Sequence, residues 1–479
     1  MMKHHFRYEW INIKREKLFV VLSILFFGLT IFSVYNGKEK VNKRMNAIAV
    51  AREEVATYDR RAATSIDSLD AGLKKAPESW LDPRMLSVFG QRGARVVAMD
   101  PAPLAVIATG QSDLYSYSVK PNLSSESHSL RFSELTNPVQ LLFGSFDLSF
   151  VCVYLLPLLV LALSYNILSE EKEQGIFRLT GSQPISIYNW LISKVAFRFI
   201  LLAAVVVISI VASLVVNGVS ITASIGDLME IILIVLAYML FWFALSVIVN
   251  LGGKSSGLNA ATLVGVWVVI VLILPAVISQ MANSIYPVPS RVNMIHEFRV
   301  AQAESTKQND KIMKEYLAGH PELASKDSVQ SNQYSWWLGY FARADVVSAA
   351  VQPLVFECNI NIEKQQNWVS NLRFSSPAIL VQDAMNDIAG TSTAHYNDFR
   401  NQVVSFSQQW RSYFAPRMFG NQKMQSSDIA SLPAYKYSDA NVPGTWLADL
   451  IGVLLFAIVT LIVSVVYYRR VATEKLMLT

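Results

Sequence analysis

The stretch MEIILIVLAYMLFWFALSVIVNL at 229–251, followed by GGKSSG at 252–257 and LNAATLVGVWVVIVLILPAVISQM at 258–281, decides the fold. Each long run exceeds the roughly 20 helical residues needed to cross a hydrocarbon core. The short glycine- and serine-containing piece between them leaves room only for a tight turn. Working outward, runs of the same kind lie at 18–35, 149–168, 197–216 and 446–468. The chain is 52% hydrophobic and only 16% charged, whereas soluble domains carry charge at about one residue in four. The expected fold is a mainly α membrane protein with six transmembrane helices.

Lysine and arginine in short loops are retained on the cytoplasmic side of a membrane. Lys3, Arg7, Lys14, Arg15 and Lys17 precede the first span; Lys172, Arg178, Lys194 and Arg198 lie between the second and third; Lys254 lies between the fourth and fifth; Arg469, Arg470 and Lys475 follow the sixth. Six spans with both termini cytoplasmic accommodate all of them. The net charge of +5 is thereby a topology signal, and nucleic acid is not an expected partner. No small-residue cleavage site follows Val34 and Tyr35, so the first span reads as a membrane helix and not as a signal peptide.

What remains outside the membrane is uneven. A tail at 1–17, a segment at 169–196 and a tail at 469–479 are small and face inward, while 36–147 and 282–445 are domain-sized and face outward. In the tail, Phe6, Trp10 and Ile13 fall on one side of a helix with Lys14 and Arg15 beside them, the pattern of a segment lying flat in the interface. In the first outer segment Val41, Ile48, Val55, Ala62 and Leu69 recur every seven residues, with Met45, Ile66 and Leu73 on the same face. This predicts an amphipathic helix rising from the first span, ended by Pro77 and packed on the second outer segment. Arg52 and Asp59 interrupt the stripe. The residues 95–108 and 114–120 are rich in Val, Ile and Tyr and predict a short strand region. The second outer segment reads as mostly helical, with runs at 291–318 and from Pro377 onward. Cys152 in a span and Cys358 outside it cannot pair, so the outer segments fold without disulfides.

Catalytic constellations are not evident. Gly252, Gly253, Lys254 and Ser255 resemble the end of a phosphate-binding loop, but the required earlier glycine is Ile248, inside a span. No pair among the six histidines, at 4, 5, 128, 296, 320 and 395, has the helical spacing of a zinc site, and no Gly-x-Ser-x-Gly elbow occurs. The centres of the spans carry no charge, which argues against an ion pathway. The chain is expected not to be an enzyme and to hold no cofactor or metal.

The informative stretch is YNILSEEKEQG at 165–175, continued by Ile176, Leu179, Gly181, Gln183 and Pro184. A helix leaves the bilayer, turns acidic through Glu170, Glu171 and Glu173, and is closed by Gly175 in the left-handed conformation. Lys194 and Arg198 share a face at the start of the next span and are expected to snorkel to the headgroups.

These residues resemble the coupling segment of ABC-2 type permeases: Glu171, Glu173, Gly175, Leu179, Pro184 and Lys194 stand where that family has an acidic Glu-x-Gly, a hydrophobic turn, a proline corner and a lysine. Asn137-Pro138, Leu141-Leu142, Gly144, Asp147, Phe150 and the run Tyr154 to Pro157 are similar to a branch of the family with large outer domains of unknown function. So are Gly110 to Leu114, Ser376-Pro377-Ala378, Asn386 to Thr391, His395 and Phe399. Ile176 departs from the family's usual threonine and Ser116 from its usual proline. The resemblance implies a bacterial inner-membrane permease subunit that pairs with a second copy or a related permease. Its partner would be a separate ATPase subunit, which alone binds ATP and magnesium. Spans two and five would then line a path at the dimer interface, with Pro157 and Pro275 as bends and Asn259, Thr262, Ser279 and Gln280 as its polar residues. The competing reading is a mechanical transmitter, in which ATP binding inside moves the outer segments against a periplasmic or outer-membrane partner and nothing crosses the bilayer.

Overall fold

The computed structural model describes residues 9–10, 17–110, 116–124, 145–175, 187–220, 224–252, 254–319 and 334–469. Leu179, Pro184, Ile176, most of the tail containing Phe6 and Ile13, and the motif at 137–144 lie outside the described residues.

Among them, six helices are long and apolar enough to cross a membrane: α1 (Lys17–Asp70), α3 (Leu148–Glu173), the apolar part of α4 (Ile187–Val216), α5 (Ile225–Leu251), α6 (Ser256–Ile285) and α12 (Trp446–Tyr467). The fourth span is the hub. In its most apolar stretch 61% of residues are buried, against 17% for α6, because α3, α4, α6 and α12 all pack around it. Tyr238, Trp242 and Phe243 fill its inward faces. Described residues near both ends of the sequence lie at one face: Glu9 pairs with Lys194 and Arg198, and Tyr467 and Tyr468 pack beside Ile167, Trp190 and Leu251. This terminal face also carries the turns after α3 and α5.

On the opposite face α1 continues without a break far beyond its apolar part. It ends at Asp70, earlier than Pro77, in a turn where the Gly72 and Leu73 N–H groups bond back to the carbonyls of Leu69 and Ser68, which satisfies the helix end before proline is reached. Its inward face is Ile48, Ala62 and Ile66, while Leu73 is exposed. Arg52 and Asp59, which break the apolar stripe, form ion pairs with Asp100 and Arg95 of the following loop. That loop contains α2 (Leu86–Arg92), β1 (Val97–Ala98) and β2 (Ser118–Val119), the strands pairing antiparallel. The strand region is thus only a short ladder. Pro101 and Pro103 lack amide donors, and the residues between them and Gly110 turn instead of extending.

The second outer segment is helical: α7 (Arg291–Lys307), α8 (Asn309–Gly319), α9 (Ser335–Leu372), α10 (Pro377–Ile388) and α11 (Thr393–Phe419). The two outer segments pack together through a shared core. Ala62, Ile66, Leu86 and Phe89 from the first share a core with Tyr334, Phe399, Trp410 and Phe414 from the second. The Trp410 indole N–H donates to Gly90 O at 3.0 Å, and the Tyr334 hydroxyl both accepts from Leu86 N and donates to Gln422 O. A second difference concerns α10. Although it belongs to the second outer segment, it packs on α5, α6 and α12, and Leu380, Val381, Ala384 and Met385 join the core of the membrane bundle.

Candidate functional site: a terminal-face corner and a collar on two broken spans

At the terminal face, α3 passes through a turn at residues 165–168 and ends with Ser169–Glu173. The sequence predicts that Glu170, Glu171 and Glu173 continue the second span into the cytoplasm, where at least one would meet a basic partner on an ATPase. The structure turns them to different tasks. Glu171 is buried and its Oε1 accepts from Lys194 Nζ at 2.7 Å. Lys194 also lies 3.8 Å from Glu9, whose other oxygen is 3.5 Å from Arg198 Nε, and Arg198 donates to Leu163 O at 2.8 Å. Lys194 and Arg198 therefore do not snorkel; their side chains are 5% and 7% exposed. They draw Glu9 and the end of α3 onto the first turns of α4.

Glu173 takes a different partner. Its carboxylate accepts from Ser256 N at 2.7 Å and from the Ser256 hydroxyl at 3.0 Å, and so caps the start of α6 with a negative charge where the helix presents unsatisfied N–H groups. Glu170 stays on its own helix, accepting from Asn166 and Gln174. Gly175 has φ +75°, the left-handed closure that the sequence predicts. Deeper in, Asn250 of α5 donates to Ser164 O and accepts from Leu168 N, and the Ser164 and Ser246 hydroxyls are 2.7 Å apart. Sequence reading passed over Asn250, Ser164 and Ser246; polar residues near the end of an apolar run are its available signal.

Asn259, expected on a path, is fully buried and points at Tyr165 O and Asn250 Oδ1, both at 3.5 Å. It belongs to this corner. Thr262 bonds back to Leu258 O within its helix, and Ser279 and Gln280 are exposed on α6. The structure does not bring these four together.

Pro157 and Pro275 have the same local anatomy. A π-helical turn, Val151–Leu155 in α3 and Val268–Ile273 in α6, ends two residues before each proline. Proline lacks a donor and its ring collides with the carbonyl four residues back; widening the helix relieves the collision and leaves a carbonyl without an amide partner. In each span a hydroxyl from another element donates to a carbonyl of the π turn, four residues before Pro157 and five before Pro275. Tyr238 of α5 donates to Val153 O at 3.2 Å, and Ser376, which caps α10, donates to Ile270 O at 2.9 Å.

The collar above these breaks includes three residues that the resemblance singled out, Asp147, Asp387 and Thr391. Asp147 caps α3 by accepting from Phe150 N, and its other oxygen accepts from Thr109 N and Oγ1 at 2.9 and 3.0 Å; burial nonetheless pushes its carboxyl above the usual range. Asp387 at the end of α10 accepts from the N–H groups of Thr445 and Trp446 and so caps the last span. Thr391 donates to Ala108 O at 2.8 Å. Where α1 crosses the collar, a Cβ on Gly37 would sit 2.0 Å from Val106 O, so only glycine permits this approach. Beside them, Arg373 lies 3.3 Å from the fully buried Asp449.

Among the described residues no group of three or more His, Cys, Asp or Glu is placed to hold a metal ion. The fold and these sites define a mainly α-helical, multi-span membrane protein with non-membrane helical and mixed segments between its spans. Residues 291–438 match the family model described as a domain of unknown function, DUF3526, a match that covers α7 to α11. No curated protein and no solved structure matches the chain.

Proposed function

We propose that this chain is the membrane-spanning, non-hydrolysing subunit of an ABC-2 type exporter of the bacterial inner membrane, acting with a separate ATPase that binds ATP and magnesium. The observation that carries the reading is the terminal-face corner. A transmembrane subunit driven by a separate cytoplasmic ATPase needs a stiff element that takes up a push and hands it to several spans at once. The end of α3 is tied to α4 through Glu171–Lys194, to α5 through Asn250, and to α6 through Glu173–Ser256. Displacing it displaces all three. Gln174 and Gly175 are exposed at the end of this helix and Glu170 partly so, where a cytoplasmic ATPase can contact them. The sparsely buried α6 leaves a face for a second copy or a related permease, and the match over α7 to α11 agrees with the branch of the family that carries large outer domains.

Transport is tested by reconstituting the chain with its ATPase in vesicles and following ATP turnover and solute movement together. Glu170→Lys should leave membrane insertion intact and lower both. Wild-type turnover and transport in that variant would remove the coupling role from this segment.

The second reading, mechanical transmission to an envelope partner without transport, is favoured by one observation: α10 joins the outer body to both broken spans. It packs on the π turns of α3 and α6 as well as on α12. Nucleotide-dependent movement of the outer body in vesicles that accumulate no solute would select this alternative.

A further inference from the structure

One feature of the membrane bundle serves neither the corner nor the collar. The helices α4 and α12 pack on α5 from either side but make little contact with each other, and between them lies a groove of about 310 Å³. Its walls include Val195 and Phe199 of α4, Phe243 and Val247 of α5, and Leu461 of α12. They are hydrocarbon almost throughout. The hydroxyl of Ser464, also in the wall, is turned back onto Ala244 O at 3.3 Å.

The groove occupies one leaflet only. Leu191 near the start of α4, Leu251 at the end of α5 and Tyr468 just beyond α12 all border it, and those three chain positions belong to the terminal face. Ile192 and Leu461, both partly exposed, flank it, so it opens sideways out of the bundle. At its end Trp190, Tyr467 and Tyr468 pack together, the aromatic layer expected at headgroup depth, and the exposed Arg469 follows directly. A long apolar slot with an aromatic rim and a cation beyond it complements one class of molecule, an amphiphile with an acyl chain and an anionic head.

We propose that this groove seats one acyl chain of an anionic phospholipid, its phosphate held near Arg469, and that the lipid fills the gap between α4 and α12. The proposal rests on α4, α5 and α12 spanning the bilayer and is independent of any ATPase. A lipid there would brace α4, which carries Lys194 and Arg198, against the last span.

The test uses the full chain purified in mild detergent, with retained lipid measured by native mass spectrometry and thermal unfolding followed with and without added phosphatidylglycerol. The wild-type chain should retain phospholipid and unfold at higher temperature when phosphatidylglycerol is supplied. Ala244→Phe, which fills the floor, and Leu461→Trp, which blocks the rim at an exposed position and so spares folding, should each lower retention about tenfold, as a loss of about 1.4 kcal/mol produces. Arg469→Glu should reduce phosphatidylglycerol retention more than that of a zwitterionic phospholipid. Undiminished retention in Leu461→Trp would overturn the proposal, as would a wild-type chain that neither retains phospholipid nor is stabilised by it.

Discussion

The Ser376 hydroxyl donates to the Ile270 carbonyl at 2.9 Å, and through this bond the outer body reaches into the fifth span at the carbonyl left unpaired by Pro275. Tyr238 and Val153 repeat the relationship in the second span. A proline bend inside a bilayer leaves a carbonyl that water cannot reach. Here one carbonyl at each π turn accepts from a residue on a different element, so the turn in a span and the position of its neighbour are tied together.

Ser376→Ala and Tyr238→Phe each remove a donor and leave a buried carbonyl unpaired, at a cost of about 1 to 3 kcal/mol. Thermal unfolding in detergent should show the loss for both. Ser376→Thr, which keeps the hydroxyl, should lose less than Ser376→Ala. Equal stability of Ser376→Ala and wild type would show that the hydrogen bond contributes nothing.

Glu171 and Lys194 form a buried pair, and removing one partner of such a pair costs about 3 to 5 kcal/mol, an upper bound for Glu171 because Glu9 stays 3.8 Å from Lys194. Glu171→Gln should lower the yield of folded chain. Glu171→Lys should lower it further, since two ammonium groups would then face each other. The double exchange Glu171→Lys with Lys194→Glu should recover part of the loss in size-exclusion profiles; no recovery would mean that the pair does not act as a unit.

His395 begins α11, with Nδ1 2.7 Å from the Ser392 hydroxyl. Burial lowers its pKa below the usual 6.5, opposed by the charges of Asp387, Asp439 and Asp398. As pH falls below about 6.5, the unfolded chain takes up a proton that the folded chain does not yet accept, so stability is full above that pH and declines on acidification. His395→Gln should flatten this decline in pH-dependent unfolding of the intact protein. An identical pH slope in wild type and variant would rule His395 out as its source.

The spans were legible because twenty or so apolar residues have one physical explanation, and the long helix rising from the first span was legible from its repeating Ile48, Ala62 and Ile66. The partners of Glu171 and Lys194 were not. Both residues were visible in the sequence, but a glutamate at a helix end reads the same whether it meets solvent, an ATPase or a lysine on the next helix. The placement of α10 was hidden for a related reason. Its Leu380, Ala384 and Ile388 spacing specifies an apolar face and is silent on whether that face meets an outer helix or the membrane bundle. Pro157 and Pro275 announced bends, while the hydroxyls that complete them come from residues 81 and 101 positions away in the chain.

The central claim, that this chain works as one half of an ATP-driven machine, is tested most directly by affinity purification of the tagged chain from its native membrane in mild detergent, with quantitative mass spectrometry of what it holds. The expected result is an ATPase subunit carrying a phosphate-binding loop, recovered in near-equal amount with the wild-type chain and depleted with Glu170→Lys. A wild-type preparation that stays folded and membrane-extracted yet contains no ATPase would contradict it.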